Sequence, residues 1–319
     1  MELPIMNNTF TEKIDAIRSA IASVVVGQDE TVSLLLSAIV ANGHVLIEGV
    51  PGVAKTLLAR LMAKLVDAPF GRLQFTPDLM PSDVLGTSVF NMKTQEFSFH
   101  AGPIFKQMLL VDEINRAPAK TQAALFEVME ERQATIDGTS HRMDPLFTII
   151  ATQNPVEQEG TYKLPEAQLD RFIVKLSMGY PTADEEFEIL RRHQTHNLQD
   201  LSAVEPVVSH DELLALRAMM DSVTVDDAIL RYICSITQQT RTSRFIYLGA
   251  SPRAAVALLA MAKAYALISG RDFVTPDDVK HVAQAVLAHR IQLTAEAEME
   301  GLTVERAVSR LLEAAKVEE

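Results

Sequence analysis

Apolar and polar positions alternate in blocks over about the first 180 residues, where short apolar runs are separated by segments with helical periodicity. The five apolar runs are HVLIEGV (44–50), RLQF (72–75), QMLLVDEI (107–114), LFTIIATQ (146–153) and FIVKLSM (172–178). Near-continuous apolar runs are typical of strands buried in a parallel sheet, and alternation of strands with helices favours an α/β fold. The pattern therefore predicts an α/β sheet in this part of the chain.

Two stretches interrupt this alternation. GTSVFNMKTQEFSFHAG (86–102) alternates apolar and polar residues about a Lys93-Thr94 turn, and ERQATIDGTSHRMDP (131–145) carries Asp137-Gly138. An Asp-Gly pair between short alternating runs is a strong hairpin signal. Both stretches are predicted to be hairpins inserted into the α/β domain.

The pattern changes after Gly179-Tyr180-Pro181, where strand signals give way to helix starts. The helix starts are Thr182…Glu185, Ser209…Glu212, Ser251-Pro252 and Thr275-Pro276. The first two fit the capping box, in which side chains satisfy the free amides of the first turn; the other two place proline at the first helical position. We expect an α/β domain over residues 1–180 and an all-helical domain over residues 181–319.

The segment GVPGVAKT (49–56) lies between the first apolar run and a strongly helical pattern. It fits the phosphate-binding loop G-x-x-x-x-G-K-[ST], except that Ala54 replaces the second glycine. In this loop backbone amides and a helix N-terminus hold anionic oxygens. Lys55 would reach the terminal phosphates of a nucleotide and Thr56 would bind Mg²⁺. The predicted nucleotide-binding residues are Gly49, Val50, Pro51, Gly52, Val53, Ala54, Lys55 and Thr56.

Alanine fits at position 54 if its φ angle is negative, because it adds only a methyl group. The alternative interpretation of this segment is a glycine turn followed by a surface lysine. The strand–loop–helix context disfavours that alternative.

A second candidate for phosphate chemistry is the end of QMLLVDEIN, an apolar strand that finishes in Asp112-Glu113. Mg²⁺ prefers a few carboxylate or hydroxyl oxygens plus water, so Asp112 would hold the ion, directly or through water. Glu113 would activate the attacking water as a general base. Asn154 ends the next strand and could orient that water, although Asn-Pro is also a good turn initiator. Two solvated acids after a strand are the alternative for the acidic pair.

The net charge and the cysteine and histidine content reduce the number of possible functions further. The chain has 319 residues and a formal net charge of -13. So acidic a chain disfavours binding to nucleic acid, because affinity for DNA or RNA comes mostly from cationic contacts to phosphate. Cys234 is the single cysteine; it is interpreted as a small core residue, and no intrachain disulfide can form. The histidines do not cluster at metal-ligand spacing, so we expect no zinc or iron site.

We expect no membrane insertion and a cytoplasmic location. The sequence contains no apolar stretch of about 20 residues that could span a bilayer. It also lacks the basic and apolar segments of a signal peptide at its beginning.

Taken together, these motifs resemble the MoxR family of AAA+ ATPases. The resemblance rests on GVPGVAKT, LLVDEINRAPAKTQAALFEVMEE, ATQNPVEQEGTYKLPEAQLDRF and GASPRA, and it extends from about residue 24 to about residue 291. Ala54 matches the family's own form of the loop. The resemblance implies a five-stranded, mainly parallel AAA+ P-loop core with helices on both faces, a helical lid, and homo-oligomeric rings that are commonly hexameric.

Family likeness also implies roles for residues outside the loop. Nucleotide sites lie between neighbouring subunits, and Arg171 corresponds to the arginine finger that reaches the neighbour's γ-phosphate. Pairing of Arg171 with Asp170 or Glu166 is the structural alternative. Arg253 corresponds to a lid sensor that contacts the phosphates in cis, with an ordinary surface arginine as its alternative.

Three further residues, Val26, Gly27 and Gln28, correspond to the segment that packs on adenine. A helix end followed by a turn is the alternative for them. Arg116 is interpreted either as a subunit-interface residue or as a solvated arginine.

The function that follows is Mg²⁺-dependent ATP hydrolysis coupled to remodelling or maturation of a client protein. In the family the client is often a von Willebrand factor A domain protein, and a metal cofactor is sometimes inserted. Two alternatives remain open, a magnesium-chelatase-like motor subunit and a nucleotide-controlled scaffold with little turnover. A DNA motor would need a basic cluster on the hairpins, which carry only Lys93, Arg132 and Arg142.

Overall fold

A computed structural model describes residues 8–154, 162, 164–194 and 200–316. Its central feature is a five-stranded sheet with the order β2-β5-β8-β1-β9, in which all neighbouring strands are parallel. The strands are β1 (His44–Gly49), β2 (Phe70–Gln74), β5 (Met108–Asp112), β8 (Thr148–Gln153) and β9 (Phe172–Met178). These are the five predicted runs, with boundaries shifted by up to two residues.

Helices cover both faces of the sheet, as expected for buried parallel strands. In this part of the chain they are α1 (Asn8–Val24), α2 (Asp29–Val40), α3 (Lys55–Leu65), α4 (Pro81–Leu85), α5 (Ala119–Glu131) and α6 (Glu166–Leu169). Side chains alternate across β1: Val45 and Ile47 join the buried cluster of α1–α3, whereas Leu46 joins the cluster of α4 and α5. The sheet therefore lies between two apolar layers.

Both predicted hairpins are present. One consists of β3 (Gly86–Asn91) and β4 (Glu96–Ala101), and the other of β6 (Gln133–Ile136) and β7 (Thr139–Arg142), each pair antiparallel. Asp137 and Gly138 both have positive φ, 48° and 78°, which matches the type I′ turn predicted for an Asp-Gly hairpin.

Helices dominate the residues that follow β9. They are α7 (Ala183–His193), α8 (His210–Met219), α9 (Asp227–Thr242), α10 (Pro252–Ile268), α11 (Pro276–Leu287), α12 (Ala295–Met299) and α13 (Val304–Ala314). All four predicted helix starts are confirmed, and Thr182, Ser209 and Thr275 each cap their helix through a side-chain oxygen. The domain boundary at 180/181 stays a prediction.

The expectation of an all-helical second domain needs one correction. Strands β10 (Ile246–Leu248) and β11 (Gln292–Leu293) pair antiparallel within it. Strands of two or three residues are too short for an alternating pattern, so they carry no periodic signal in the sequence.

The interpretation of Cys234 as a core residue is wrong, because its side chain is exposed. Its neighbours Tyr232, Ile233 and Ile236 are buried on one face of α9. A rotation of about 100° per residue turns position 234 away from that face. An apolar local sequence therefore did not imply burial here.

No helix among the described residues is long and apolar enough to cross a membrane.

Candidate nucleotide site

The phosphate loop connects the carboxyl end of β1 to the first residue of α3, Lys55. Only glycine fits at position 49, because a Cβ there would lie 2.5 Å from the carbonyl oxygen of Met178. At Gly52 the same construction meets no atom within 4 Å, so the loop faces open space. An open loop followed by a helix N-terminus suits a phosphate group. The residues present therefore fit a nucleotide.

Lys55 lies over this loop. Its Nζ donates hydrogen bonds to the carbonyl oxygens of Gly49 and Val50, the latter at 3.0 Å. Burial lowers the pKa of Lys55, and the carboxylates of Asp112 and Glu113 oppose that shift. The lysine therefore lies within electrostatic range of the predicted Mg²⁺ ligand, Asp112, and the predicted general base, Glu113. Thr56 follows it in the first turn of α3 and would hold Mg²⁺ through its hydroxyl.

The condition stated for Ala54 is not met. Its φ is +62°, in the left-handed region, whereas the sequence interpretation required a negative angle. A Cβ in that region crowds the following carbonyl oxygen, at a cost of roughly 1–2 kcal/mol. The loop therefore keeps a glycine-like backbone at position 54 although the residue is alanine.

Asp112 ends β5 and is only 6% exposed. One of its carboxylate oxygens accepts a hydrogen bond from Thr152 Oγ1 at 3.1 Å, and the other accepts from Arg72 Nε at 2.7 Å. A buried carboxylate needs such partners. Strand β8, which carries Thr152, lies between β5 and β1 and is parallel to both. The carboxyl ends of these strands, with Asp112 and the phosphate loop, therefore lie at the same edge of the sheet.

Glu113 follows immediately, with a left-handed backbone at φ 56°. Its backbone N–H donates to Thr152 Oγ1 at 3.0 Å, so one hydroxyl contacts both acidic residues. Its Oε2 accepts from Gln74 Nε2 and pairs with Arg116 Nε, each at 2.9 Å. Arg116 is therefore the partner of Glu113 in this structure, which neither interpretation from sequence had proposed.

Sequence reasoning missed three residues of this site, Arg72, Gln74 and Thr152. Arg72 and Gln74 project from the same side of β2, two residues apart, and β2 pairs with β5 in the register Gln74–Asp112. The only signal in the sequence was the polar alternation within RLQF. Strand order, which brings this polar side to Asp112, cannot be derived from that alternation.

Asn154 immediately follows β8 at the same sheet edge and is half-buried. Val26, Gly27 and Gln28 connect α1 to α2. Gly27 has φ +72°, and a Cβ there would overlap the carboxylate of Glu185 in α7. This connection therefore packs against the first helix after β9, and its contact with adenine stays a prediction.

Arg171 lies elsewhere. It directly precedes β9, which runs parallel to β1, so it sits at the amino end of the strands while the phosphate loop sits at the carboxyl end. Six residues of strand separate the two ends by about 20 Å. Arg171 Nη1 pairs with Glu130 Oε2 at 2.8 Å and donates to the Phe126 carbonyl oxygen at 3.3 Å.

Asp170 and Glu166, the alternative partners considered for Arg171, accept hydrogen bonds from other residues. Asp170 accepts from Arg290 Nε at 2.7 Å and from Ser251 Oγ at 3.0 Å. Glu166 accepts from Gln292 Nε2. The ion pair with Glu130 was not predicted, because α5 and β9 are distant in sequence.

Arg253 requires a correction. It was expected to contact the phosphates of its own chain, but its Nη2 donates to Glu130 Oε1, beside Arg171. Glu130 is in the last turn of α5, which runs back from the carboxyl edge of the sheet to its amino edge. An arginine side chain cannot reach across about 20 Å of strand, so Arg253 does not contact its own phosphate loop in this conformation.

Comparisons with known proteins agree with this fold. The model of the ATPase family associated with various cellular activities (AAA) matches residues 44–174, and the AAA lid domain matches residues 238–311. The Bacillus subtilis protein YeaC, which is uncharacterized, is 48% identical over 92% of this chain and 91% of its own. Chaperone MoxR1 of Mycobacterium tuberculosis is 42% identical, covering 91% of this chain and 78% of its own.

A solved structure from Cytophaga hutchinsonii, of a protein provisionally named as an ATPase, superposes with a TM-score of 0.88 and 41% identity. The match covers 97% of this chain and 96% of that chain. The 38 kDa magnesium-chelatase subunit of Acidiphilium rubrum is more distant, at 27% identity over 66% of this chain and 60% of its own. The chain is a member of the MoxR family of AAA+ ATPases.

Proposed function

We propose that this chain hydrolyses ATP in a Mg²⁺-dependent reaction at the loop of residues 49–56. The observation that carries the proposal is that Asp112 and Glu113, which share a contact with Thr152 Oγ1, lie at the same sheet edge as that loop. Bound Mg²⁺ would neutralise charge on the phosphate oxygens, held by Thr56 and Asp112. Glu113 would accept the proton of the attacking water.

The sharpest test of this proposal is Glu113→Gln, which keeps the size of the side chain and removes its basicity. We expect ATP binding to change little and phosphate release to fall by about 10²–10⁴-fold, the usual contribution of a general base. Glu127→Gln on the exposed side of α5 is the matched control and should leave both unchanged. A nucleotide-controlled scaffold would show negligible turnover in the native chain and no effect of Glu113→Gln.

Assembly into a homo-oligomeric ring, commonly a hexamer in this family, is part of the proposal. Arg171 and Arg253 lie together at the opposite sheet edge from the phosphate loop. Two cations at that distance suit the nucleotide of a neighbouring subunit, where an arginine stabilises charge on the transferred phosphoryl group. We therefore propose that Arg253 acts in trans with Arg171, in place of the cis role expected from sequence.

Coupling of hydrolysis to a client protein is the final part. Support comes from the hairpin β3–β4, on which Phe90, Met92 and Phe97 are 48%, 86% and 74% exposed. Exposed apolar side chains of this kind mark protein contacts. The client class proposed is a protein, such as one with a von Willebrand factor A domain, and its maturation could include insertion of a metal cofactor.

The hairpins offer little to a nucleic acid. Of their three basic residues, Arg132 is half-buried and donates to the carbonyl oxygens of Phe147 and Asn42. Lys93 and Arg142 are exposed. Two cations are too few for the multiple phosphate contacts on which such binding depends. This distribution favours a protein client over a DNA motor.

A further inference from the structure

We propose that Glu130 is a positioning residue that holds Arg171 and Arg253 side by side for the phosphate of a neighbouring subunit. This inference rests on the shared site proposed above. One carboxylate serves both cations: Oε2 contacts Arg171 Nη1 at 2.8 Å, and Oε1 accepts from Arg253 Nη2. Each oxygen thus fixes a different guanidinium.

Charge explains why a carboxylate is needed at this point. The two guanidinium groups are close enough to contact one phosphate together. They therefore repel each other when no phosphate is bound. Arg253 is also the second residue of α10, where the positive end of the helix dipole disfavours a cation. With Glu130 in place the cluster keeps a net charge of about +1, which still attracts phosphate.

The contribution of these ion pairs to stability is small. The side chains of Glu130, Arg171 and Arg253 are 36%, 28% and 55% exposed, and exposed ion pairs typically contribute about 0–1 kcal/mol. The main effect of Glu130 is therefore to fix the positions of the two guanidinium groups, and not to stabilise the fold.

Lid and core are joined beside this cluster by a separate set of contacts. The side chain of Arg290 is 3% exposed, and its guanidinium pairs with Asp170 and donates to the Phe172 and Ile173 carbonyl oxygens. Ser251 Oγ donates to the same Asp170. These contacts hold Asp170 and the first residues of β9 against the segment after α11 and against Ser251 at the start of α10. Removing the Glu130 carboxylate should therefore free the two guanidinium groups without separating lid from core.

The orientation of the Arg171 guanidinium depends mainly on its contact with Glu130. Its Nε is buried and has no hydrogen-bond partner among the described residues. Among the residues that the structure describes, the guanidinium is held through Nη1 alone, by Glu130 and the Phe126 carbonyl oxygen. Loss of the carboxylate leaves one contact at 3.3 Å, too weak to define the orientation of the guanidinium.

If Glu130 competed with phosphate for the two arginines, its removal would have the opposite effect on ATP turnover. If the carboxylate acts as a competitor that occupies the arginines until phosphate displaces it, its removal accelerates turnover. If it positions them, removal slows turnover, since a displacement of about 1 Å can cost on the order of 10²-fold in rate.

Complementation between two inactive chains tests the inference. The donor chain carries Lys55→Ala, which removes its own phosphate contact but leaves its arginines. The acceptor chain carries Arg171→Ala, which leaves its own phosphate loop. Mixing them recreates complete sites only where a donor supplies arginines to an acceptor. Glu130→Gln is then placed on either the donor or the acceptor, and Glu131→Gln, an exposed neighbour on α5, is the matched control on the donor.

Glu130→Gln on the donor should lower the kcat of the mixture about 10–100-fold, with KM for ATP unchanged because the acceptor binds the nucleotide. The same substitution on the acceptor, like Glu131→Gln on the donor, should have no effect. Equal losses from donor and acceptor, no loss from either, or faster turnover would each overturn the positioning role. If mixing restores no activity even with native Glu130, the shared site itself is wrong and the inference fails with it.

Discussion

At the residue scale, the site contains two left-handed residues that are not glycine, Ala54 and Glu113, with φ of 62° and 56°. Ala54 ends the loop between β1 and α3, Glu113 directly follows β5, and both therefore lie at the carboxyl edge of the sheet. Unfavourable backbone angles cost of order 1–3 kcal/mol each and persist where surrounding structure fixes them. At Glu113 this geometry turns the backbone N–H toward Thr152 while the side chain meets Gln74 and Arg116.

Ala54→Gly should stabilise the nucleotide-free chain. Relief of about 1–2 kcal/mol of left-handed strain is partly offset by the greater backbone entropy of glycine in the unfolded chain, about 0.5–1 kcal/mol. The expected net gain in the free energy of unfolding is about 0.5–1 kcal/mol, measured by urea unfolding. Ala123→Gly, at an exposed position within α5, should instead lower it by about 1 kcal/mol. Equal losses from both substitutions would contradict the angle at position 54.

Arg72→Gln should lower the Mg²⁺ concentration needed for half-maximal turnover. The guanidinium of Arg72 contacts the carboxylate that would hold the ion, at 2.7 Å, so it competes with the metal and repels it. An exposed unit charge at this range is worth about 1 kcal/mol, roughly a five-fold shift. A Mg²⁺ titration of phosphate release measures it, with Arg60→Gln on the exposed face of α3 as control. An unchanged or higher requirement would show that Arg72 does not compete.

Much of the site could be predicted at this scale because Lys55 and Thr56, like Asp112 and Glu113, are adjacent in sequence and follow recognisable strands. Arg72, Gln74 and Glu130 could not, since each reaches its partner only after strand pairing or helix packing. The angle at Ala54 was also beyond prediction, because it depends on the path between β1 and α3. Cys234 shows the converse, an apolar neighbourhood that did not imply burial.

At the scale of elements, the five buried strands and both hairpins were predicted because their signals are local: apolar runs, alternation and an Asp-Gly turn. Sheet order is not local, and it decides that β8 separates β5 from β1. The pair β10–β11 was missed because so few residues carry no periodicity.

His44 ties three elements together, and its titration should make stability depend on pH. Nδ1 accepts from the Ile149 N–H of β8 at 2.9 Å, and Nε2 contacts the Met129 carbonyl oxygen of α5 at 3.3 Å. Burial, with a smaller contribution from Arg132, lowers the pKa of His44 to about 3. A neutral ring satisfies both contacts, whereas a proton on Nδ1 would oppose the Ile149 N–H.

Because the folded pKa is depressed, the unfolded chain binds more protons between pH 3 and the usual histidine pKa near 6.5. Stability therefore rises with pH across that window and is lost as pH falls. From pH 7.5 to pH 5, His44 should account for a loss of about 2 kcal/mol. In His44→Gln the pH dependence should shrink by that amount, measured by urea unfolding at both pH values. The control, His100→Gln on exposed β4, should keep the native dependence; an equal change in both variants would refute the assignment.

At the scale of the whole molecule, the proposed ring would give each chain halves of two different sites. The phosphate loop and catalytic acids occupy the carboxyl edge of the sheet, and the cluster of Glu130, Arg171 and Arg253 occupies the amino edge. The contact between Asp170 and Arg290 fixes the lid against the second half. Family resemblance predicted the finger, whereas the placement of Arg253 beside it required the tertiary structure, because nothing local in GASPRA defines which edge the lid contacts.

The most direct test of this account is ATP turnover per chain as a function of protein concentration, with mass followed by light scattering, for the native chain and Arg171→Ala. We predict that specific activity rises as assemblies form. Arg171→Ala should bind ATP normally and lose about 10³–10⁵-fold in turnover, as expected for an arginine finger. Activity that is independent of concentration, or full activity in Arg171→Ala, would contradict the shared site and leave each chain as a self-contained nucleotide-binding unit.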